Sequence, residues 1–132
     1  MKGFKSNIEK DTLGNENFRK VLYTGKHLQL VLMTLKPGED IGAETHPHND
    51  QFFRFERGTG KCVIDGNEYE VADGDAILVP AGAKHNVINV SLKTELKMYT
   101  IYGPPNHQDG TIRTTKEEAE KMDEEFDGKT SE

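Results

Sequence analysis

The stretch Thr45-His46-Pro47-His48-Asn49-Asp50-Gln51-Phe52-Phe53-Arg54-Phe55-Glu56-Arg57-Gly58 decides how the rest of the chain is read. On an extended strand, side chains two apart share a face, so the imidazoles of His46 and His48 are expected to point the same way. Asn49-Asp50 offers a bend. From Gln51 the residues alternate, with Gln51, Phe53 and Phe55 on one face and Phe52, Arg54 and Glu56 on the other. Further on, Gly74-Asp75-Ala76-Ile77-Leu78-Val79-Pro80-Ala81-Gly82-Ala83-Lys84-His85 brings a third histidine directly after a Pro/Gly turn. Three histidines and one amide oxygen, carried by strands of one small β domain, predict a metal site. Neutral imidazole is the commonest ligand for borderline divalent ions and needs no charge partner.

These residues resemble the cupin family. Its second motif, Gly-x5-Pro-x-Gly-x2-His-x3-Asn, is matched at every position by Gly74, Pro80, Gly82, His85 and Asn89. Its first motif is Gly-x5-His-x-His, then three or four residues, Glu, six residues and Gly. His46 and His48 supply the pair, Gln51 stands in place of the glutamate, and Gly58 closes the motif. Two departures accompany that register: Asp40 occupies the opening glycine position, and Gln51 follows His48 after only two residues. The resemblance implies an all-β fold, a double-stranded β-helix or jelly-roll barrel, with a metal held in its mouth by His46, His48, Gln51 and His85. It does not imply one reaction, because sites with many chemistries are grafted on this fold.

A chain of 132 residues is expected to form one domain. Net charge is −6 and no basic stripe is present, which argues against nucleic-acid binding and against an anionic membrane surface. No apolar run approaches membrane-spanning length, and the first residues, Met1 to Asn7, lack the apolar core of a signal peptide. The single cysteine, Cys62, rules out an internal disulfide and fits a reducing cytoplasm, with Cys62 itself expected in the core.

Residues 1–17 read as a polar arm with at most one short strand, docking on a neighbouring subunit. Residues 18–103 carry many short strands between Gly/Pro turns, the mark of an antiparallel sandwich or barrel. Asp65-Gly66 between β-prone runs predicts a tight hairpin. The strand from His27 to Leu35 is apolar on both faces, which suggests a homodimer through its Val31/Met33 side or through the arm. Residues 104–132 are expected to form a loop, then an acidic helix opened by the capping box Thr115-Lys116-Glu117-Glu118 and running to about Phe126, with 127–132 frayed.

For function, the expected cofactor is one divalent ion (Zn, Mn, Fe, Ni or Cu), and four neutral ligands would leave it its full charge, favouring a small, anionic substrate. Glu44, two before His46, is the candidate carboxylate base. Tyr102, inward on the last strand, is the candidate acid or substrate hydrogen-bonder. Phe53, Phe55 and Met98 are the candidate apolar pocket. His107 in the loop after Pro104-Pro105 is read as solvated, and Arg54 as a surface or subunit contact. Three functions remain open at this point. The first is an isomerase-type metalloenzyme moving a proton on a sugar, sugar acid or keto acid through a metal-bound enolate, in keeping with the likeness of single-domain cupins to mannose-6-phosphate isomerase. The others are a cupin dioxygenase and a binding or sensing module without catalysis.

Overall fold

Alternation of inward apolar and outward polar residues along short strands folds this chain into two antiparallel sheets packed face to face. The computed structural model describes residues 1–122 and 124–132. In chain order the elements are α1 (Ile8–Gly14), β1 (Arg19–Thr24), β2 (Gln29–Leu35), β3 (Glu44–Thr45), β4 (Asp50–Arg57), β5 (Thr59–Ile64), β6 (Asn67–Ala72), β7 (Ala76–Val79), β8 (Lys84–Asn89), β9 (Leu96–Gly103), β10 (Ile112–Arg113) and α2 (Lys116–Lys121). One sheet has the order β10-β1-β2-β9-β4-β7 and the other β3-β8-β5-β6. This is the expected jelly-roll sandwich with a short C-terminal helix. No helix among the described residues is long and apolar enough to cross a membrane.

The core lies between the sheets. β4 turns Gln51, Phe53 and Phe55 inward, as its alternation requires, and they meet Met98, Tyr102 and Leu96 of β9 and Val31, Met33 and Leu35 of β2. Fully burying side chains of this size stabilises by about 1.5–3 kcal/mol each. Cys62 is in the same core, and burial pushes its thiol up to about 12, so it is an inert apolar filler.

Two turns carry out what their residues dictate. Asp65 and Gly66 both take positive φ, 46° and 82°, the requirement of a two-residue hairpin between β5 and β6. Asn89, the last residue of the second motif, is buried and works as a clamp. Its amide donates to the carbonyls of Leu35, Lys36 and Thr94, and its oxygen accepts from the Ser91 amide.

The structure corrects the expectations for both ends. The arm contains a helix, not a strand, because the Asn7 side chain caps it by accepting from the Lys10 amide and Glu9 and Asp11 favour its first turn. It docks on its own chain: α1 packs on β2 and β9, the Asn15 amide donates to the Thr34 hydroxyl, and buried Lys97 donates to the Asn15 carbonyl and pairs with Glu16. This explains the two apolar faces of β2. Val31 and Met33 point into the core instead of toward a partner, and outward Leu32 is only 2% exposed beside the arm.

At the other end, Thr115 does cap α2 by accepting from the Glu118 amide, but the helix stops at Lys121. Asp123, inside the expected helix, lies outside the described residues. From Glu124 the chain runs extended against the loop after β9, with Gln108 donating to the Glu124 carbonyl and Phe126 to the Asn106 carbonyl. Residues 127–132 are tied down: Ser131 exchanges hydrogen bonds with Thr24, and Glu132 accepts from Tyr23.

Gly58 and Gly66 separate two reasons for glycine. Both have positive φ, but a Cβ on Gly58 would lie 2.5 Å from the Glu95 carbonyl oxygen, whereas nothing lies within 4 Å of one on Gly66. Gly66→Ala should therefore cost only the left-handed penalty of about 1–2 kcal/mol. Gly58→Ala should cost clearly more in urea denaturation; equal losses would contradict the close approach of β4's end to β9.

Candidate metal centre

The site is built where three strands deliver polar side chains onto the apolar floor of the barrel. β3 contributes Glu44, and His46 follows it immediately. β4 contributes Gln51 and β8 contributes His85, which faces Glu44 across the β3–β8 pairing. Donor atoms of Glu44, His46 and His85 all lie within 4.8 Å of one another. The His46 and His85 rings are 5.2 Å apart, and Phe53 supports His85 edge-on from below.

Hydrogen bonds fix which atoms face inward. His85 Nδ1–H donates to the Ala83 carbonyl at 3.1 Å, so in the neutral ring Nε2 carries the lone pair. Gln51 donates its amide to Thr100 Oγ1 at 2.9 Å, which turns its carbonyl oxygen toward His85. That oxygen lies 3.2 Å from His85 Nε2. With neutral His85, two lone pairs confront each other there, an arrangement that a cation relieves. His46 Nε2 lies 3.0 Å from Glu44 Oε2, yet it is buried and makes no directed hydrogen bond. An orphaned ring nitrogen, a carboxylate, an amide oxygen and a second imidazole converging on one spot fit a divalent ion with N/O ligands.

The electrostatics agree. Burial pushes the Glu44 carboxyl up, but the contact with His46 and the charges of His46, Arg19 and His85 outweigh it and hold the group below its usual range. Burial holds His85 below its ordinary value, opposed by its bond to Ala83 and aided by His46. Both groups are thus in the ligating form near neutrality.

His48 is not brought to this cluster. The β3 strand ends at Thr45, and Pro47-His48 form a turn that leaves His48 exposed. The face-sharing expected of His46 and His48 required an extended strand that this turn interrupts. The pair the structure delivers is Glu44/His46, two residues earlier. In that register Gly38 opens the motif with φ 76°, four residues separate His46 from Gln51 and Gly58 closes it, so the glycine and spacing departures vanish; Glu44 in the first histidine position and Gln51 in the glutamate position are its two substitutions. Glu44, expected as a base, is a donor in the cluster, so the set carries one negative charge instead of none.

Above the cluster opens a cavity of about 570 Å³, lined by Arg19, Ile41, Glu44, His46, Asn106 and His107 and roofed by Ala119, Glu120, Lys121, Met122, Glu124 and Glu125. The expected apolar pocket is not part of its wall. Phe53, Phe55 and Met98 are at most 1% exposed and belong to the packed floor. Tyr102 is equally buried, and its hydroxyl meets Nε2 of His107 at 3.2 Å.

His107 is buried over the mouth and is not solvated. Gln29, fully buried on β2, holds it there by accepting from the Asn106 and His107 amides and donating to the His107 carbonyl. Burial, with the charges of Arg19 and His46, pushes His107 down to about 3, and burial pushes Tyr102 well above the ordinary phenol range. Arg19 and Gln29 are the site residues that sequence reading passed over, while His107 is named there as a solvated loop residue. The inward parity of Arg19 and Gln29 with Val21 and Val31 was the available signal.

Two outcomes test this geometry. Replacing His46 or His85 with Ala should abolish stoichiometric zinc uptake measured by elemental analysis, a larger loss than the roughly 10–100-fold cost of changing a supporting outer residue. His48→Ala should keep it, and zinc loss in His48→Ala would restore the His46/His48 register. Separately, His107 titrates near 6.5 when unfolded but at about 3 when folded. Between those values the unfolded chain binds more protons. Stability should then be full above about pH 6.5 and fall below it, by up to about 1.4 kcal/mol per pH unit. A shallower fall for His107→Gln in denaturation at pH 7 and pH 5 is the expected result.

Comparison with known proteins agrees with this architecture. The family model described as Cupin domain matches residues 31–102. The chain is 48% identical over 124 residues to the uncharacterized protein YrkC of Bacillus subtilis (strain 168), covering 89% of this chain and 66%, just under two thirds, of YrkC. It is 32% identical over 65 residues to Escherichia coli (strain K12) mannose-1-phosphate guanylyltransferase, 49% of this chain but 14% of that enzyme. The crystal structure of BH2720 from Bacillus halodurans superposes with a TM-score of 0.89 at 46% identity, covering 92% of this chain and 96% of that one. With the strand order, the barrel-mouth cluster and both motifs in agreement, the chain belongs to the cupin family.

Proposed function

We propose that this cupin is a metal-dependent enzyme that moves a proton on a small, oxygen-rich metabolite of the sugar, sugar-acid or keto-acid class. The observation that carries the reading is the convergence of Glu44, His46, Gln51 and His85 beneath a polar cavity of about 570 Å³. These four residues would hold the ion. When bound, a divalent ion polarises a substrate oxygen and makes a neighbouring C–H more acidic. The similarity to a segment of mannose-1-phosphate guanylyltransferase supports a sugar-related substrate, although that segment is a small part of that enzyme.

The chain's own proton carriers are Tyr102 and His107. Glu44 is committed to the donor set. The Tyr102 hydroxyl donates to His107 Nε2 inside the barrel, and only His107 reaches the cavity. With His107 far below and Tyr102 far above neutrality, the resting proton sits on the phenol oxygen. In the resting ring Nδ1 carries the hydrogen and the phenol bond to Nε2 sets the orientation; a proton arriving from the cavity is accepted at Nε2, whose hydrogen bond from the phenol breaks as the imidazolium forms. Asn106 and Gln29 keep the imidazole facing the cavity.

The dioxygenase reading called for an apolar substrate pocket from Phe53, Phe55 and Met98, and those side chains are packed core. The cavity wall is polar and charged, which favours the proton-transfer reading. A cytoplasmic location is proposed with it, supported by the single unpaired cysteine. The homodimer is likewise a proposal. With Val31 and Met33 inward, its surface would be the outer sheet face at Leu28, Leu30 and Ile101.

The test is hydrogen–deuterium exchange at the carbon beside the carbonyl, in zinc- or manganese-loaded protein with a panel of ketoses, aldoses and 2-oxo acids. Exchange is expected, and Tyr102→Phe should slow it by about 10²–10⁴-fold and shift its pH profile while metal content stays unchanged. Absence of exchange across the panel, with metal bound, would leave a binding module instead. Oxygen consumption by iron-loaded protein would point to the dioxygenase.

A further inference from the structure

Arg19 opens β1 on its inward face, beside Val21, and is only 7% exposed. Its guanidinium lines the cavity together with Glu44, His46 and His107. A buried guanidinium normally has a carboxylate or carbonyl on its fork, because an unpaired buried charge is costly. Here, among the described residues, no acidic group lies within ion-pair distance, and Nε is buried with no hydrogen-bond partner. Its compensation is the Phe18 ring, 5.3 Å from the guanidinium carbon. Stacking of this kind holds the plane of the guanidinium while leaving its donors free.

Among the described residues, the nearby acids do not answer it. Glu124 is taken by Arg113, Glu120 lies beside Lys116 and is largely exposed, and Glu125 is exposed. Glu44 senses the charge of Arg19 but turns its oxygen to His46 Nε2. A planar, permanently charged fork left unpartnered in a cavity matches a planar anion with two adjacent oxygens.

We infer that Arg19 is the anchor for a substrate carboxylate, so that the substrate is an organic acid with a second oxygen donor directed to the cluster of Glu44, His46, Gln51 and His85. This deepens the proposed function and rests on it only for that second oxygen. A 2-oxo or 2-hydroxy acid satisfies both requirements: its carboxylate takes the fork, and its neighbouring carbonyl or hydroxyl faces the donor set. Neutral sugars satisfy only one. Arg19 is thus the specificity determinant that selects acids among the oxygen-rich metabolites considered above.

The experiment is calorimetric titration of zinc-loaded and metal-free protein with pyruvate and glycerate, each compared with its uncharged amide. Wild-type protein is expected to prefer each acid to its amide by at least tenfold. Arg19→Met should erase that preference while zinc content and melting temperature are kept, since no ion pair is lost. Arg19→Lys, which keeps the charge but not the fork, should retain part of it. A preference that survives in Arg19→Met, or no acid binding at all by wild type, would overturn the inference. Failure of wild type to take up zinc would overturn the metal reading instead. An Arg19-dependent preference in the metal-free protein would then still uphold the anchor.

Discussion

The structure depends on a confrontation of lone pairs. His85 Nε2 and the Gln51 carbonyl oxygen face each other at 3.2 Å, with an unpartnered His46 nitrogen and the Glu44 carboxylate beside them. In an apolar interior this arrangement is unfavourable by itself. It persists because the surrounding barrel leaves the side chains no alternative. Ala83 holds the far nitrogen of His85, Thr100 holds the amide of Gln51, and Phe53 closes the floor. A cation converts the same cost into binding energy, which is how a folded scaffold preorganises a site.

Around that cluster the buried polar residues divide into those that are satisfied and those that are not. Asn89, Gln29 and Lys97 are buried with their partners in place, and each fastens a loop or terminal segment to the barrel. Such networks specify one arrangement of the irregular parts of the chain. Buried Arg19 and half-buried His46 each have a buried nitrogen without a hydrogen-bond partner, and both line the cavity. Arg54 Nε, on the outward side of β4, also lacks a directed hydrogen bond, but the unsatisfied nitrogens of Arg19 and His46 share one cavity, which marks where an external partner completes the bonding.

The segment after β9 gives the site its lid-like wall. Gln29 fixes the loop at Asn106 and His107, and the chain from Glu124 to Phe126 runs alongside that loop. Burial keeps His107 neutral at working pH and keeps the proton on Tyr102 behind it, whereas Glu44 keeps its charge against burial, through its contact with His46 and the charges of His46, Arg19 and His85. A buried proton-holding pair next to a candidate cation site is an arrangement in which modest electrostatic effects act strongly.

The amino-acid sequence by itself determined the local pieces. Alternation at Gln51, Phe53 and Phe55 determined which face of β4 is inward, Asp65-Gly66 determined a hairpin, Thr115 determined a helix start, and the run from Gly74 to Asn89 determined the barrel and His85. Each is legible because a period of two, a positive φ or a cap is set by neighbours in the chain. Tertiary structure decided the rest. Whether His48 or Glu44 joins His46 depended on where β3 stops, which its pairing with β8 and the Pro47 turn set. That Val31 and Met33 face the core, and that His107 and Arg19 face one cavity, depended on contacts between residues far apart in sequence. Pattern gives a side chain its face; only packing decides what that face meets.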